Sequence, residues 1–315
     1  MESQIDALYS TLLRVDTEPD NKALIEWLEN VCQRHYGLVD GLVANFIVNI
    51  DEPAYGKKLL KVLKKLNEYL PTLVTPQFME NQRFPEAIIQ YLEGTELKDM
   101  AGDAFVLLVN VFNDQSIDKM SDKFVRQLID SMEFITDENT THALISILVI
   151  LCAAYEKKIQ KQIAWGTYDG KKAPIVNLAY QEFIQNESYY RLKLLHLTNR
   201  SNRYRFDKCL ETLSIILSKE ESKDFFNIND LNLLLDICLR EIQTEKDPNV
   251  RVQILRMIET IMDHEQYKTY PYKLDDIRDT VNELILSEDE ENGAYTIKEK
   301  ESIAKLNLKF QILNF

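Results

Sequence analysis

Glycines followed by lysines, four histidines and four cysteines are the residues of this chain whose types could do chemistry. Their spacing does not set any of it up. GTYDGKKA, from Gly166, has the composition of a phosphate-cradling loop. Such a loop needs four residues between its glycines, then Lys and Ser or Thr, after a strand. Here three residues intervene, Lys171 and Lys172 follow, and the preceding run is helical. His35, His142, His196 and His264 have no partner at metal-ligand spacing. Cys32, Cys152, Cys209 and Cys238 stand far apart, three of them in apolar helical stretches, which reads as reduced core thiols of a cytosolic protein. No nucleophile elbow, dinucleotide fingerprint or kinase signature is present. The sequence therefore names no catalytic residue, metal ligand or cofactor, and an enzyme would require a site assembled from distant residues.

Two basic features stand against this background. In GKKLLKVLKKLNEYL, from Gly56, the side chains of Lys57, Lys58, Lys61, Lys64 and Lys65 lie opposite a leucine face. Alone, that pattern suits a membrane-surface or calmodulin-target helix. Among many equally amphipathic helices it reads as a core helix with a solvated lysine face. The second feature is RLKLLHLTNRSNRYRFDK, where Arg191, Lys193, Arg200, Arg203, Arg205 and Lys208 outnumber Asp207, with Tyr189, Tyr190, Tyr204 and Phe206 interleaved. Arginine with tyrosine is the composition of protein-interface anchors as well as of nucleic-acid sites. A protein partner is expected here, on Arg200, Arg203, Tyr204, Arg205 and Lys208. A merely solvated loop is the plainer alternative.

The elements that must position these residues are helices. Eight glycines and eight prolines in 315 residues fall mostly between runs of helical spacing. The spacing predicts helices around residues 24–37 and 59–70, then 76–93, 102–113, 117–135, 138–157, 175–197, 203–219, 229–243, 248–264, 273–287 and 296–312. Asp247 and Pro248 make a strong helix start, and Asp137 or Asn139 would cap the 138–157 run in the same way. From Leu231 to Ile242 only Asn232, Asp236 and Arg240 form a polar stripe, so that helix must be covered on most sides. The longest loops are expected at 164–174 and at the acidic 287–293. About a dozen such helices imply an all-α, armadillo- or HEAT-like solenoid with irregular repeats, 1–315 forming one elongated domain; no repeat consensus is visible, and an irregular all-helical globule is the alternative.

A net charge of −14 disfavours general attraction to nucleic acid or anionic lipid. The longest apolar run, Ala143 to Tyr155, is short of the roughly twenty residues that span a bilayer. It reads as a buried helix. MESQIDALYS lacks a basic segment followed by an apolar run, so it does not read as a secretory signal.

Residues 203–242, RYRFDKCLETLSIILSKEESKDFFNINDLNLLLDICLREI, resemble the hallmark segment of the WISH/DIP family. The resemblance lies in an apolar helix, the charged link from Ser218 to Ser222, the aromatic pair Phe225 and Phe226, Asn229 and Asp230, and a leucine-isoleucine helix carrying Leu231, Leu234, Leu235 and Arg240. Phe225 and Phe226 are expected to staple the helix start and Asn229 to cap it. FVLLVNVFNDQ, from Phe105, is similar to the family's central region. No Src-homology 3 domain or proline-rich tail is evident, as in the compact fungal form. The resemblance implies a rigid armadillo-like, non-enzymatic activator of the actin-related protein 2/3 complex, promoting unbranched filaments without a preformed one. It further implies actin as an indirect partner and a cytoplasmic place in the actin cytoskeleton, at cortical endocytic patches. A generic helical scaffold for another protein is the alternative.

Overall fold

Helical spacing with few breakers gives helices throughout. The computed structural model describes residues 7–12, 14, 22–34, 37–94, 102–112, 117, 120–164, 175–199, 205–290 and 296–313, and among them there is no strand. The chain clusters into two compact units, Met1–Ile147 and Leu148–Phe315.

The first unit holds α1 (Lys22–Arg34), α2 (Leu38–Val48), α3 (Pro53–Tyr69), α4 (Pro71–Glu80), α5 (Arg83–Gly94), α6 (Gly102–Val111) and α7 (Asp122–Ser131). Its core gathers aromatics from three helices: Phe46 lies 6.0 Å from Phe84 and 5.7 Å from Tyr91, and Phe78 lies 5.0 Å from Phe84. Gly56 is required where α3 crosses this cluster, because a Cβ there would stand 2.9 Å from Tyr91 Cε2. Leu59, Val62, Leu63 and Leu66 of α3 are buried as the leucine face implies. The lysines opposite are only half exposed, and four of them, Lys58, Lys61, Lys64 and Lys65, are engaged within the protein. Lys64 sits 3.0 Å from Asp103, and Lys58 and Lys61 lie over the Tyr9 ring. Burial alone would lower the Lys64 ammonium, but Asp103 and Glu68 hold it above its ordinary value. This is the solvated face of a core helix.

The spacing predicted one helix over 76–93; the structure has two, because Asn81 turns extended and its side chain accepts from the Arg83 amide. Helix α2 was not among the predicted helices, since its nearly continuous apolar run has little periodicity to read.

Helix α8 (Glu138–Ala164) contains the division between the units. Asp137 is its cap: Oδ2 accepts from the Thr140 amide at 2.7 Å and its hydroxyl at 2.6 Å, which holds the Asp137 carboxyl below its usual range. The helix outruns its expected end at 157, because Lys157, Lys158, Gln160, Lys161 and Gln162 are straight-chain helix formers.

The second unit continues with α9 (Leu178–Gln185), α10 (Glu187–Asn199), α11 (Phe206–Ser218), α12 (Ile228–Ile242), α13 (Pro248–Asp263), α14 (Glu265–Thr269), α15 (Leu274–Glu290) and α16 (Ile297–Leu313). Asn186 splits the run predicted over 175–197 into α9 and α10. Asp247 and Pro248 start α13 as predicted, Asp247 accepting from the Asn249 amide. Helix α13 is central: α11, α12 and α16 all pack on it. Buried polar groups are paired across elements. Thr212 donates to the Val149 carbonyl at 2.9 Å, and Asn177 to the Cys152 carbonyl at 2.9 Å. The fold is the all-α class implied by the sequence, each helix covering the apolar face of a neighbour as in helical repeats.

Candidate partner-binding site

The segment that joins α10 to α11 carries most of the expected interface residues. Arg200, Arg203 and Tyr204 lie outside the described residues, as does the 165–174 loop with Lys171 and Lys172. Arg205 is described and stands at φ 70°, a left-handed conformation uncommon for arginine. Its carbonyl accepts from the Lys208 and Cys209 amides, both at 3.0 Å, so this residue sets the start of α11. Lys208 spends its charge inside the protein: Nζ lies 3.1 Å from Glu211 and 3.6 Å from Asp207. Burial would lower its ammonium, yet those two carboxylates hold it above its ordinary value. Arg191 faces Asp230 and Glu187, each at 3.5 Å, and Lys193 lies over the Tyr189 ring at 4.5 Å. The basic stretch read from sequence is thus partly neutralised by the fold.

The residues from Phe225 to Arg240 are framework. Phe225 and Phe226 are buried, with rings edge to face at 4.8 Å. The cap of α12 is Asn227, not Asn229. Its Oδ1 accepts from the Asn229 amide at 2.9 Å and the Asp230 amide at 3.2 Å, while Asp230 accepts from the Asn227 amide at 3.1 Å. That reciprocal box fixes the start two residues earlier and leaves the Asn229 side chain exposed. Leu231, Leu234, Leu235, Ile237, Cys238 and Ile242 are buried. The greasy surface of α12 is covered by α10, α13, α14 and α15, and each buried leucine or isoleucine is worth roughly 1.5–3 kcal/mol.

The polar stripe on α12 is used as well. Asp236 lies 3.0 Å from Lys273, and Arg240 donates to Asn199 Oδ1 at 3.1 Å. Arg191 meets Asp230 near the starts of α10 and α12, and Asn199 meets Arg240 near their ends. The two helices therefore run in the same direction. Leu192 on α10 is 62% exposed, and Leu233 on α12, part of the apolar surface read from sequence as covered, is 43% exposed. Nothing in the α12 pattern separates Leu233 from its buried neighbours; only the packing does.

Among the described residues no group of histidine, cysteine and carboxylate side chains could hold a metal ion, and no helix is long and apolar enough to cross a membrane. His142 lies 3.8 Å from Glu138, and His264 Nε2 is 2.8 Å from the Lys223 carbonyl; His35 lies outside the described residues. All four thiols are free and buried, and burial pushes Cys152 and Cys209 up to about 12, far from a reactive thiolate.

The described residues thus give an all-helical arrangement around a structural leucine-rich segment. Residues 137–277 match the model of the SPIN90/Ldb17 leucine-rich domain family, the same family suggested by residues 203–242. The matched stretch spans α8 to α14 and the first residues of α15, and contains the whole Phe225 to Arg240 framework. That family is linked to actin-related functions and is of a non-enzymatic scaffold or activator kind. No curated protein matches the chain.

Proposed function

We propose that this protein is a non-enzymatic activator of the actin-related protein 2/3 complex, promoting unbranched filaments that seed branched networks without a preformed filament. The observation that carries the reading is the match of residues 137–277 to the SPIN90/Ldb17 leucine-rich domain. The protein would act by binding the active arrangement of the complex more tightly than the inactive one; a tenfold preference corresponds to about 1.4 kcal/mol. Arg200, Arg203, Tyr204 and Arg205 are the proposed contacts, with Lys208 holding the start of α11 in place beside them. Residues 1–315 act as one domain, for which a single cooperative unfolding transition is expected. The reading places the protein in the cytoplasm with the actin cytoskeleton, at cortical endocytic patches.

The test is affinity for the purified complex by biolayer interferometry, with Arg203→Ala and Arg205→Ala beside the parent. Weaker binding with unchanged helical circular dichroism supports the assignment. Unchanged affinity removes the segment from the interface, and no affinity in the parent favours a scaffold for another protein.

A further inference from the structure

Within the second unit, the later part of α8 with α11, α13 and α16 borders an open groove of about 740 Å³. Its volume lies within the range of grooves that take small ligands or a stretch of peptide. Three carboxylates line it, and each already has a cation. Glu211 lies 3.0 Å from Lys157 and 3.1 Å from Lys208, Glu156 is 2.9 Å from Lys219, and Glu259 is 3.5 Å from Lys309. Glu211 further accepts from Gln253 at 3.3 Å.

That pairing leaves a remainder. Lys161, Arg256 and Lys305 also line the groove, are exposed, and have no ion pair among the described residues. They come from α8, α13 and α16, so the charge is converged by the fold and is not a run in the sequence. The half-buried Ile215 supplies apolar surface between them.

We infer that this groove is a docking site for an acidic segment of a protein partner, whose carboxylates meet Lys161, Arg256 and Lys305 while an apolar side chain lies on Ile215. A protein segment fits better than a polyphosphate. The chain's net charge of −14 repels a dense polyanion at long range, and the paired carboxylates within the groove do so at short range. A peptide brings few charges and some apolar surface, matching a lining that offers few free cations and some apolar surface. The inference concerns the chemistry of the groove and does not depend on which complex the protein activates.

The experiment is fluorescence polarisation of the full chain with a short fluorescein-labelled peptide of glutamate, leucine and alanine, beside its counterpart with lysine replacing glutamate. The expected result is saturable binding of the acidic peptide alone, weakening with salt. The triple variant Lys161→Glu, Arg256→Glu, Lys305→Glu should bind at least about tenfold more weakly. A control with the same change in net charge, Lys123→Glu, Lys246→Glu, Lys268→Glu, alters exposed lysines elsewhere and should bind as the parent does. Absence of saturable binding, or equal loss in both triple variants, overturns the inference. So does tighter binding of a single-stranded oligonucleotide or of phosphoinositide vesicles, lost with the same groove variant.

Discussion

Replacing Glu299 by glutamine removes a negative charge from a site where only 1% of the residue meets solvent. Glu299 Oε1 takes both Nε and Nη2 of Arg251 at 2.7 Å, and Oε2 takes the Thr296 amide at 2.7 Å and its hydroxyl at 2.8 Å. Both carboxylate oxygens thus face donors, and the pair ties the start of α16 to α13. Glutamine has one oxygen and one amide group, so whichever way it turns, a donor meets a donor. The loss of charge-assisted bonds plus an unsatisfied buried donor amounts to about 3 kcal/mol. That is roughly a hundredfold in the folded-to-unfolded ratio. Arg251→Met should cost more, about 4 kcal/mol, because the arginine side chain keeps 20% exposure and some water, whereas the stranded carboxylate has almost none. Joining Arg251→Met with Glu299→Leu should cost less than the sum of the single changes. Urea unfolding followed by circular dichroism gives the free energies, and amide exchange in α16 should accelerate in step. A loss below about 1 kcal/mol for Glu299→Gln would refute the reasoning.

Asn227→Ala should destabilise by about 1 kcal/mol or somewhat more while Asn229→Ala stays near neutral, a contrast read by urea midpoints; the reverse order would restore Asn229 as the cap. Gly56→Ala should cost about 1–3 kcal/mol against Tyr91, whereas Gly41→Ala, with nothing within 4 Å of its added Cβ, should gain up to roughly 1 kcal/mol of helix propensity. Stability should also fall in alkali. Burial pushes Cys152, Cys209, Tyr180 and Tyr267 up to about 12, and raises Cys238 and Tyr190 as well. Each holds its proton more tightly folded than unfolded, so its contribution is full below the unfolded value, about 8.5 for cysteine and 10 for tyrosine, and is lost as pH rises toward the folded value. The urea midpoint should therefore drop from about pH 9 upward, by as much as ~1.4 kcal/mol per pH unit for each group in its window; a flat profile to about pH 11 would contradict that burial.

Helices with a clear stripe were legible in the sequence. The polar positions Asn232, Asp236 and Arg240 locate α12, and Asp247 with Pro248 locates the start of α13 to the residue. What escaped depends on information outside the local pattern. Helix α2 is too uniformly apolar to show a period. Asn81 and Asn186 break helices by local backbone geometry that periodicity does not weigh. Asn227 and Asn229 are equally plausible caps until the Asp230 carboxylate is seen to return to the Asn227 amide. Of the candidate interface, Lys208 reads in sequence as one more basic residue of the stretch, whereas in the fold Glu211, one turn further along α11, holds its ammonium. The groove cations Lys161, Arg256 and Lys305 are far apart in sequence, so only the packing of three helices brings them together.

The central claim is tested most directly by single-filament fluorescence imaging of actin monomers with the actin-related protein 2/3 complex and this protein, with no preformed filaments and no other activator. Unbranched filaments that appear only when all three are present are the predicted result. A complex that stays inactive in the presence of saturating protein would contradict it.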